Sequence, residues 1–295
     1  MIKRTVDISD PAYLYIKNRQ LCVEKKGKLD TYISIEDLGV LILQHPGIVI
    51  TQSVVTQCQK NNTAIIFCDE KYLPLTVTLP LWEGHSLHTK VLRDQIAVKE
   101  STRKRLWQQI VRNKIAEQAC TLELMGQTAI GLHRLHKKVR TGDPDNCEAQ
   151  AARQYWPLLM GKEFRRNPDS GGENAILNYG YSIMRAMVAR ALVGTGLHPA
   201  LGLYHKNQYN GLCLADDLME PFRPWVDWQV RSLLLEGGDL VICRESKQVL
   251  LSMLTMDVEF SEKRMPLSIA LHLLAATLKK ALLDTKQKLV YPQRI

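Results

Sequence analysis

The spacing of apolar residues changes once along the chain, and that change excludes any architecture built from a single kind of element. Up to about residue 80 the sequence reads as strands. AYLYIKN and QLCVEKK alternate apolar with polar residues around a short turn, KGKLD makes a second turn, and TYISI and TAIIFCD are β-branched runs of strand length. Between them, IVITQSVVTQCQKNN spaces Val54, Val55 and Cys58 as a helix does. An antiparallel, mostly β region carrying one helix is expected. PLTVTLPLWEGHS, with Pro74, Pro80 and Gly84, reads as a linker. From Leu87 onward the spacing is helical nearly throughout. The expected fold class is therefore α+β and multidomain: a β-rich domain over residues 1–80, a linker over 81–86 and a larger all-α domain over 87–295.

Within the helical part, STRKRLWQQIVRNKIAEQACTLELMG threads Leu106, Ile110, Ala116 and Leu122 among basic residues, with Ser101 as its expected cap and Gly126 as its stop. ENAILNYGYSIMRAMVARALVGTG places Ile176, Ile183, Met184, Met187 and Ala191 on one face and Asn174, Asn178, Ser182 and Arg185 on the other. Gly180 in its middle costs about 1 kcal/mol relative to alanine, which predicts a close helix contact there. MPLSIALHLLAATLKKALLDT forms a further amphipathic helix.

Of the 295 residues, 45% are hydrophobic and 23% charged, the balance of a folded protein. No run approaches the roughly 18 apolar residues of a membrane span, and MIKRTVDISD lacks the apolar region of a signal peptide, so a soluble, uncleaved chain is expected. Seven cysteines stand singly, without a C-x-x-C pair, which argues against a disulfide framework or zinc knuckle and fits a reducing cytosol. The net charge of +9 is uneven. Lys99 to Arg140 alone holds ten Lys/Arg against three Glu, a concentration that suits a polyanion such as nucleic acid, or else a solvated helix face.

Three segments carry clustered polar groups on otherwise apolar elements: EAQAARQYWP with Glu148, YHKNQYN with His205, and DDLMEPFRPWVD with Asp217 and Glu220. Each has a local explanation. Asp217-x-x-Glu220 has the spacing of a capping box; Glu148 reads alone as an exposed first-turn glutamate near Asp143 and Asp145, within reach of Arg153; His205 reads as a partly buried, satisfied histidine. Taken together, two carboxylates and one imidazole form a sparse O/N donor set with positions left for water and phosphate oxygens, which suits Mg²⁺ or Mn²⁺. In a basic domain such an ion points to phosphodiester chemistry. His133 and His136, set among Arg134, Lys137 and Lys138, suit phosphate contact or solvation; His272 reads as core, as do Trp225 and Trp228. No phosphate loop, dinucleotide fingerprint or nucleophile elbow is present.

The runs LADDLMEPFRP after HKNQYN, EAQAARQYW upstream, and NYGYSIMRAMVARALVGTGLHP between them resemble the CRISPR-associated spacer-acquisition integrase in the short form that accompanies type II systems; EDLGVLILQHPGIVIT and NNTAIIFCDEKYLP agree. The resemblance covers roughly residues 1 to 260. It implies a β-rich dimerisation domain, an all-helical catalytic domain, and one Mg²⁺ or Mn²⁺ held by Glu148, His205 and Glu220. Asp217, Asn178 and Tyr181 match supporting positions, and Tyr204 stands where close relatives often have a second His. The implied reaction joins the 3′-hydroxyl of a captured double-stranded DNA fragment to a CRISPR repeat by transesterification, alongside metal-dependent nuclease activity, in the prokaryotic cytoplasm. The implied partners are a second copy of this chain and a small ferredoxin-like companion adaptation protein, with the type II effector nuclease and a ring-forming adaptation factor as optional additions. Arg165, Arg166, Arg134, Lys137 and Lys138 are DNA-binding candidates by charge. A non-catalytic DNA-binding scaffold and a stand-alone branched-DNA repair nuclease are the alternatives.

Overall fold

The computed structural model describes residues 4–70, 74–78, 80, 87–238 and 241–295. The first part runs β1 (Arg4–Ile8), β2 (Tyr13–Lys17), β3 (Gln20–Lys25), β4 (Lys28–Ser34), β5 (Leu38–Leu43), β6 (Val49–Ile50), α1 (Gln52–Lys60), β7 (Ala64–Cys68) and β8 (Pro74–Thr78). It forms two four-stranded sheets, in the orders β1-β5-β7-β8 and β4-β3-β2-β6. The expected hairpins are present: β2, β3 and β4 pair antiparallel, the first two through Asn18 and Arg19, both at positive φ.

The other sheet corrects the antiparallel expectation, because β5 pairs parallel with both β1 and β7, and β8 alone runs antiparallel. LGVLIL shows why: every residue of β5 is buried, as in a parallel strand covered on both faces. Leu41 and Leu43 join Leu14, Leu21, Val54 and Cys58 in a core of the strand-rich part, whereas Val40 and Ile42 enter the core of the helical part. Pro74–Thr78, read from its prolines as linker, is strand β8; Pro74 stands at its first residue, a position where a strand tolerates proline. The expected linker, 81–86, lies outside the described residues.

The second part contains α2 (His88–Ile96), α3 (Glu100–Leu124), α4 (Ile130–Lys138), α5 (Cys147–Met160), α6 (Glu173–Gly194), α7 (Cys213–Met219), α8 (Arg223–Leu235), α9 (Arg244–Ser252) and α10 (Leu267–Leu283). It is helical, as expected, with one departure: β9 (Asp257–Phe260), β10 (Lys263–Pro266) and β11 (Gln293–Arg294) form a small antiparallel sheet, so the region is not all-α. Val258 and Phe260 alternate inward from β9, and the hairpin turns on Ser261 and Glu262 at positive φ, residues that give no Asn-Gly or Gly signal. α3 begins at Glu100 with Lys99 before it, so Ser101 does not cap it, while Gly126, at φ +70°, ends it as expected. Among the described residues no helix is long and apolar enough to cross a membrane. All seven cysteines are free thiols, four of them buried.

α6 is the hub, packed against α7, α8, α9, α10 and the strands β7 and β8. At Gly180 the contact is as close as its presence predicted: an added Cβ would lie 2.5 Å from Val226 Cγ1 and 3.1 Å from Leu250 Cδ2. Gly180→Ala is expected to destabilise the fold, because overpacking costs about 1–3 kcal/mol and outweighs up to about 1 kcal/mol of helix propensity. In a Val226→Ala background the penalty should vanish. Urea denaturation of the four proteins tests this, and a penalty unchanged by Val226→Ala would place the cause elsewhere.

Candidate active site

The acidic run that begins at Asp216 is divided among four separate tasks. Asp217 is buried in α7 and caps nothing. It accepts from the backbone N–H groups of Leu203 (2.5 Å), Tyr204 (3.1 Å) and His205 (3.2 Å), and pairs with His205 Nδ1 at 2.7 Å. The loop can wrap the carboxylate this tightly because position 202 is glycine: a Cβ there would meet the His205 carbonyl oxygen at 2.3 Å. Gln95 of α2 fixes the loop's start, donating to the carbonyls of His198 (3.0 Å) and Leu201 (3.3 Å) and accepting from the His198 N–H (2.9 Å). A carboxylate accepts only, so Nδ1 carries the proton and Nε2 is left for another partner. The Asp217 hydrogen bond raises the imidazole pKa, against burial, and the charge of Glu220 adds to the rise.

Glu220 opens a 3₁₀ turn, Glu220–Phe222, between α7 and α8. Pro221 and Pro224 lack the N–H groups that would continue an α-helix through this point, so the chain tightens there and α8 restarts. Glu220 is buried and accepts from Arg223 Nε at 2.8 Å and from Lys114 Nζ. The same ammonium lies 2.5 Å from Glu148 Oε1. Burial alone would raise the Glu220 pKa, but Arg223 and Lys114 outweigh it and bring it down to about 2. Burial likewise opposes the charge on Lys114, and the two glutamates more than restore it. Glu148 is held in place from below. The Asp143 carboxylate accepts from the N–H groups of Cys147 (2.9 Å) and Glu148 (3.0 Å), and Asn146 accepts from Ala149, so the first turn of α5 is fixed.

The remaining acids brace the helices. Asp216 receives Arg185 of α6 through two nitrogens, at 2.6 and 2.9 Å, and Asn210 at 2.6 Å. Asp227, buried in α8, accepts from Tyr155 Oη at 2.9 Å and from Tyr181; burial pushes its carboxyl up to about 6 despite those bonds. A cleft of about 280 Å³ opens here, lined by Lys114, Trp156, Arg166, Tyr181, Glu220 and Arg223. Arg223 and Arg166 lie over the Tyr181 ring, 4.6 and 5.3 Å from its centre, and Arg166 is steered by Asn174 (2.9 Å) and Asn178 (2.5 Å).

The structure thus brings Glu148 and Glu220 together on Lys114, with His205 close enough to feel the charge of Glu220. Among the described residues no three His, Cys, Asp or Glu side chains are drawn tightly enough together to enclose an ion as placed. Of the basic candidates, Arg166 lines the cleft, Arg134, Lys137 and Lys138 are exposed on α4, and Arg165 binds the carbonyls of its own loop. His133 pairs with Glu123 and His272 is half-buried against Gly194, so neither joins the site.

Residues 8–238 match the family of the CRISPR associated protein Cas1. The chain belongs to the Cas1 family. The CRISPR-associated endonuclease Cas1 of Neisseria meningitidis is 38% identical over 239 residues, covering 80% of this chain and 78% of that relative. A CRISPR-associated endonuclease Cas1 of Saccharolobus solfataricus is 27% identical over 248 residues, covering 81% and 78%. Among solved structures, a casposase bound to integration product superposes with a TM-score of 0.78 at 20% identity, covering 98% of this chain and 92% of that one. A CAS1 protein from Thermotoga maritima does so at 0.73 and 17% identity, covering 95% and 97%. These two likenesses speak to the fold, and they agree with a strand-rich N-terminal part followed by a helical one.

In this Cas1-family chain, the residues that sequence reasoning missed are the ones that hold the glutamates. Lys114 was one of ten cations in a basic run, and nothing in its spacing marks it as the one turned inward; Arg223 and Asp143 were equally silent. The depressed pKa of Glu220 means that its cations stabilise the fold above the usual carboxylate value of 4.5, and that this contribution is lost as pH falls toward about 2. Lys114→Met is expected to cost about 3–5 kcal/mol near neutral pH, since it leaves buried charge uncompensated. The gap to wild type should hold down to about pH 4.5 and narrow as pH falls from there toward about 2. Urea denaturation across that range tests it; a constant gap would mean that Lys114 does not keep Glu220 ionised.

Proposed function

We propose that this chain is a metal-dependent DNA endonuclease and integrase of CRISPR adaptation, joining 3′-hydroxyl ends of captured double-stranded fragments to the CRISPR repeat. One observation carries the reading: in a Cas1-family chain, two glutamates from different helical segments converge on a single positive charge beside an imidazole oriented by a buried aspartate. The Lys114 ammonium stands in for a cation between them. Glu148, Glu220 and His205 are oxygen and imidazole donors of the kind that suit Mg²⁺ or Mn²⁺, and would hold it with positions left for water and phosphate oxygens. Bound there, the ion would supply Lewis-acid polarisation of a phosphodiester.

The chain's own groups do the rest. Asp217 keeps the imidazole in one tautomer and orientation, as the outer partner of a ligating histidine does. Arg223, Lys114 and Arg166 face the cleft and offset the charge of an entering phosphodiester. In the displacement, the fragment's 3′-oxygen forms a new bond to phosphorus while the repeat's own phosphorus–O3′ bond breaks; hydrolysis is the same exchange with water as nucleophile. Arg134, Lys137 and Lys138 on α4 draw the DNA backbone in by releasing its counterions. The Neisseria relative, described as an endonuclease, and the casposase bound to integration product both support this assignment. A Cas6-RT-Cas1–Cas2 complex among the solved neighbours supports assembly with a small ferredoxin-like companion protein. Pairing of two copies through the strand-rich part belongs to the same reading, as does recruitment of a type II effector nuclease and a ring-forming adaptation factor.

The test is strand transfer of a fluorescent duplex into a supercoiled, repeat-bearing plasmid, with the companion protein and either Mn²⁺ or EDTA. Glu148→Ala and His205→Ala should abolish the metal-dependent product while the fold survives, and Asp217→Asn should lower it about 10- to 100-fold. A folded wild type that binds DNA but yields no product would favour the scaffold. Metal-dependent cutting of branched DNA without joining would favour the repair nuclease.

A further inference from the structure

Both oxygens of Glu220 are already taken. Lys114 Nζ holds Glu220 Oε2 together with Glu148 Oε1, and Arg223 Nε holds Glu220 Oε1 at 2.8 Å. A cation that draws on Glu220 must therefore take an oxygen from one of these two groups. They are not equally free to yield. Arg223 stands three residues from Glu220, and its rigid guanidinium also lies 4.6 Å from the centre of the Tyr181 ring, so two contacts fix it. Lys114 reaches the glutamates from α3 on a flexible four-carbon stem, with 13% of its side chain exposed at the wall of the cleft. Charge points the same way. Lys114 and Arg223 balance Glu148 and Glu220, and a divalent cation added to all four would leave positive charge in excess at a largely buried place. Departure of one ammonium reduces that excess.

We propose that Lys114 is an internal competitor of the divalent cation: its ammonium holds the place between the glutamates and must leave it for the cleft before Glu148 and Glu220 can bind the ion together. This rests on the reading of Glu148, Glu220 and His205 as metal donors. The affinity of the site is then a difference. The carboxylates attract the ion, and an ammonium tethered beside them at high effective concentration opposes it. Before loading, Lys114 keeps the two carboxylates ionised and side by side; during loading, it weakens the site for the ion. An ion pair that only ties α3 to α5 behaves otherwise, because it persists when the ion binds.

The experiment uses the full chain without DNA, so that metal binding is read without chemistry. Free Mn²⁺ is followed by electron paramagnetic resonance during titration of wild type, Lys114→Met, Lys114→Arg and Glu148→Ala. Lys114→Met should bind Mn²⁺ about 5- to 150-fold more tightly than wild type, the usual range of a coupling between two binding events. Lys114→Arg keeps the charge and should stay as weak as wild type. A second measurement needs no variant to fold. An ammonium engaged by two carboxylates is a poor nucleophile. Acetylation of wild-type Lys114 by an N-hydroxysuccinimide ester, read by mass spectrometry, should therefore be slow in EDTA and faster in Mn²⁺, as the side chain is released into the cleft. Acetylation indifferent to saturating Mn²⁺, equal affinity in wild type and Lys114→Met, or equal tightening in Lys114→Met and Lys114→Arg would overturn the competition. Failure of the metal-site reading shows separately, as Mn²⁺ binding that Glu148→Ala leaves unchanged, and the competition falls with it.

Discussion

The centre of the helical part depends on one ammonium group. Glu148 comes from α5 and Glu220 from the turn between α7 and α8, and side by side their carboxylates would repel. Lys114 Nζ, carried in from α3, turns that repulsion into two charge-assisted hydrogen bonds, and Arg223 occupies the remaining oxygen of Glu220. Two cations and two carboxylates make a nearly neutral cluster, the condition under which charge can be buried without forcing a proton off or on. The cluster also ties α3 to α5 and to the α7–α8 turn, so the same contacts that set the electrostatics set the positions of the helices.

The acidic crowding between Asp216 and Asp227 has a structural logic once partners are assigned. Asp216 and Asp217 are adjacent, yet one faces Arg185 of α6 and the other closes the loop 203–205. Asp217 fixes the backbone and the imidazole of His205 at once, which is why an uncapped aspartate is buried inside a short helix. Asp227 accepts from two tyrosine hydroxyls, and its raised pKa reflects burial that those donors only partly offset. Glu220 meets two cations, Lys114 and Arg223, and they pull its carboxyl down to about 2.

How much of this was legible follows from what periodicity encodes. Gly180 announced a close contact because glycine inside a strongly periodic helix has few other uses, and Val226 is what it admits. The strand-rich and helical parts were readable from two different spacings. Strand order was not, because the buried run LGVLIL suits a parallel strand without naming its neighbours, and a set of hairpins separates it from β1 along the chain. β8 was hidden by Pro74 and by Pro80 beyond it, and β9 to β11 are too short, and their turn too plain, to rise above the helices around them. At the site, Glu148, His205 and Glu220 stood out by type and by family likeness; of their local explanations the capping box fails, because Asp217 caps no helix, whereas His205 is the half-buried, hydrogen-bonded histidine its local reading expected. Lys114 could not stand out: an inward lysine and a solvated one look alike in a basic run.

The spacing of α3 links the two halves of the site. Trp107 and Lys114 are seven residues apart, so an α-helix returns them to nearly the same face about 10 Å apart along its axis. His205 stands against Trp107 at one end of that interval and feels Glu220 from the other. Because Trp107 and Lys114 belong to one continuous helix, the spacing between the buried indole that backs Tyr204 and the ammonium that joins the two glutamates is set by helix geometry.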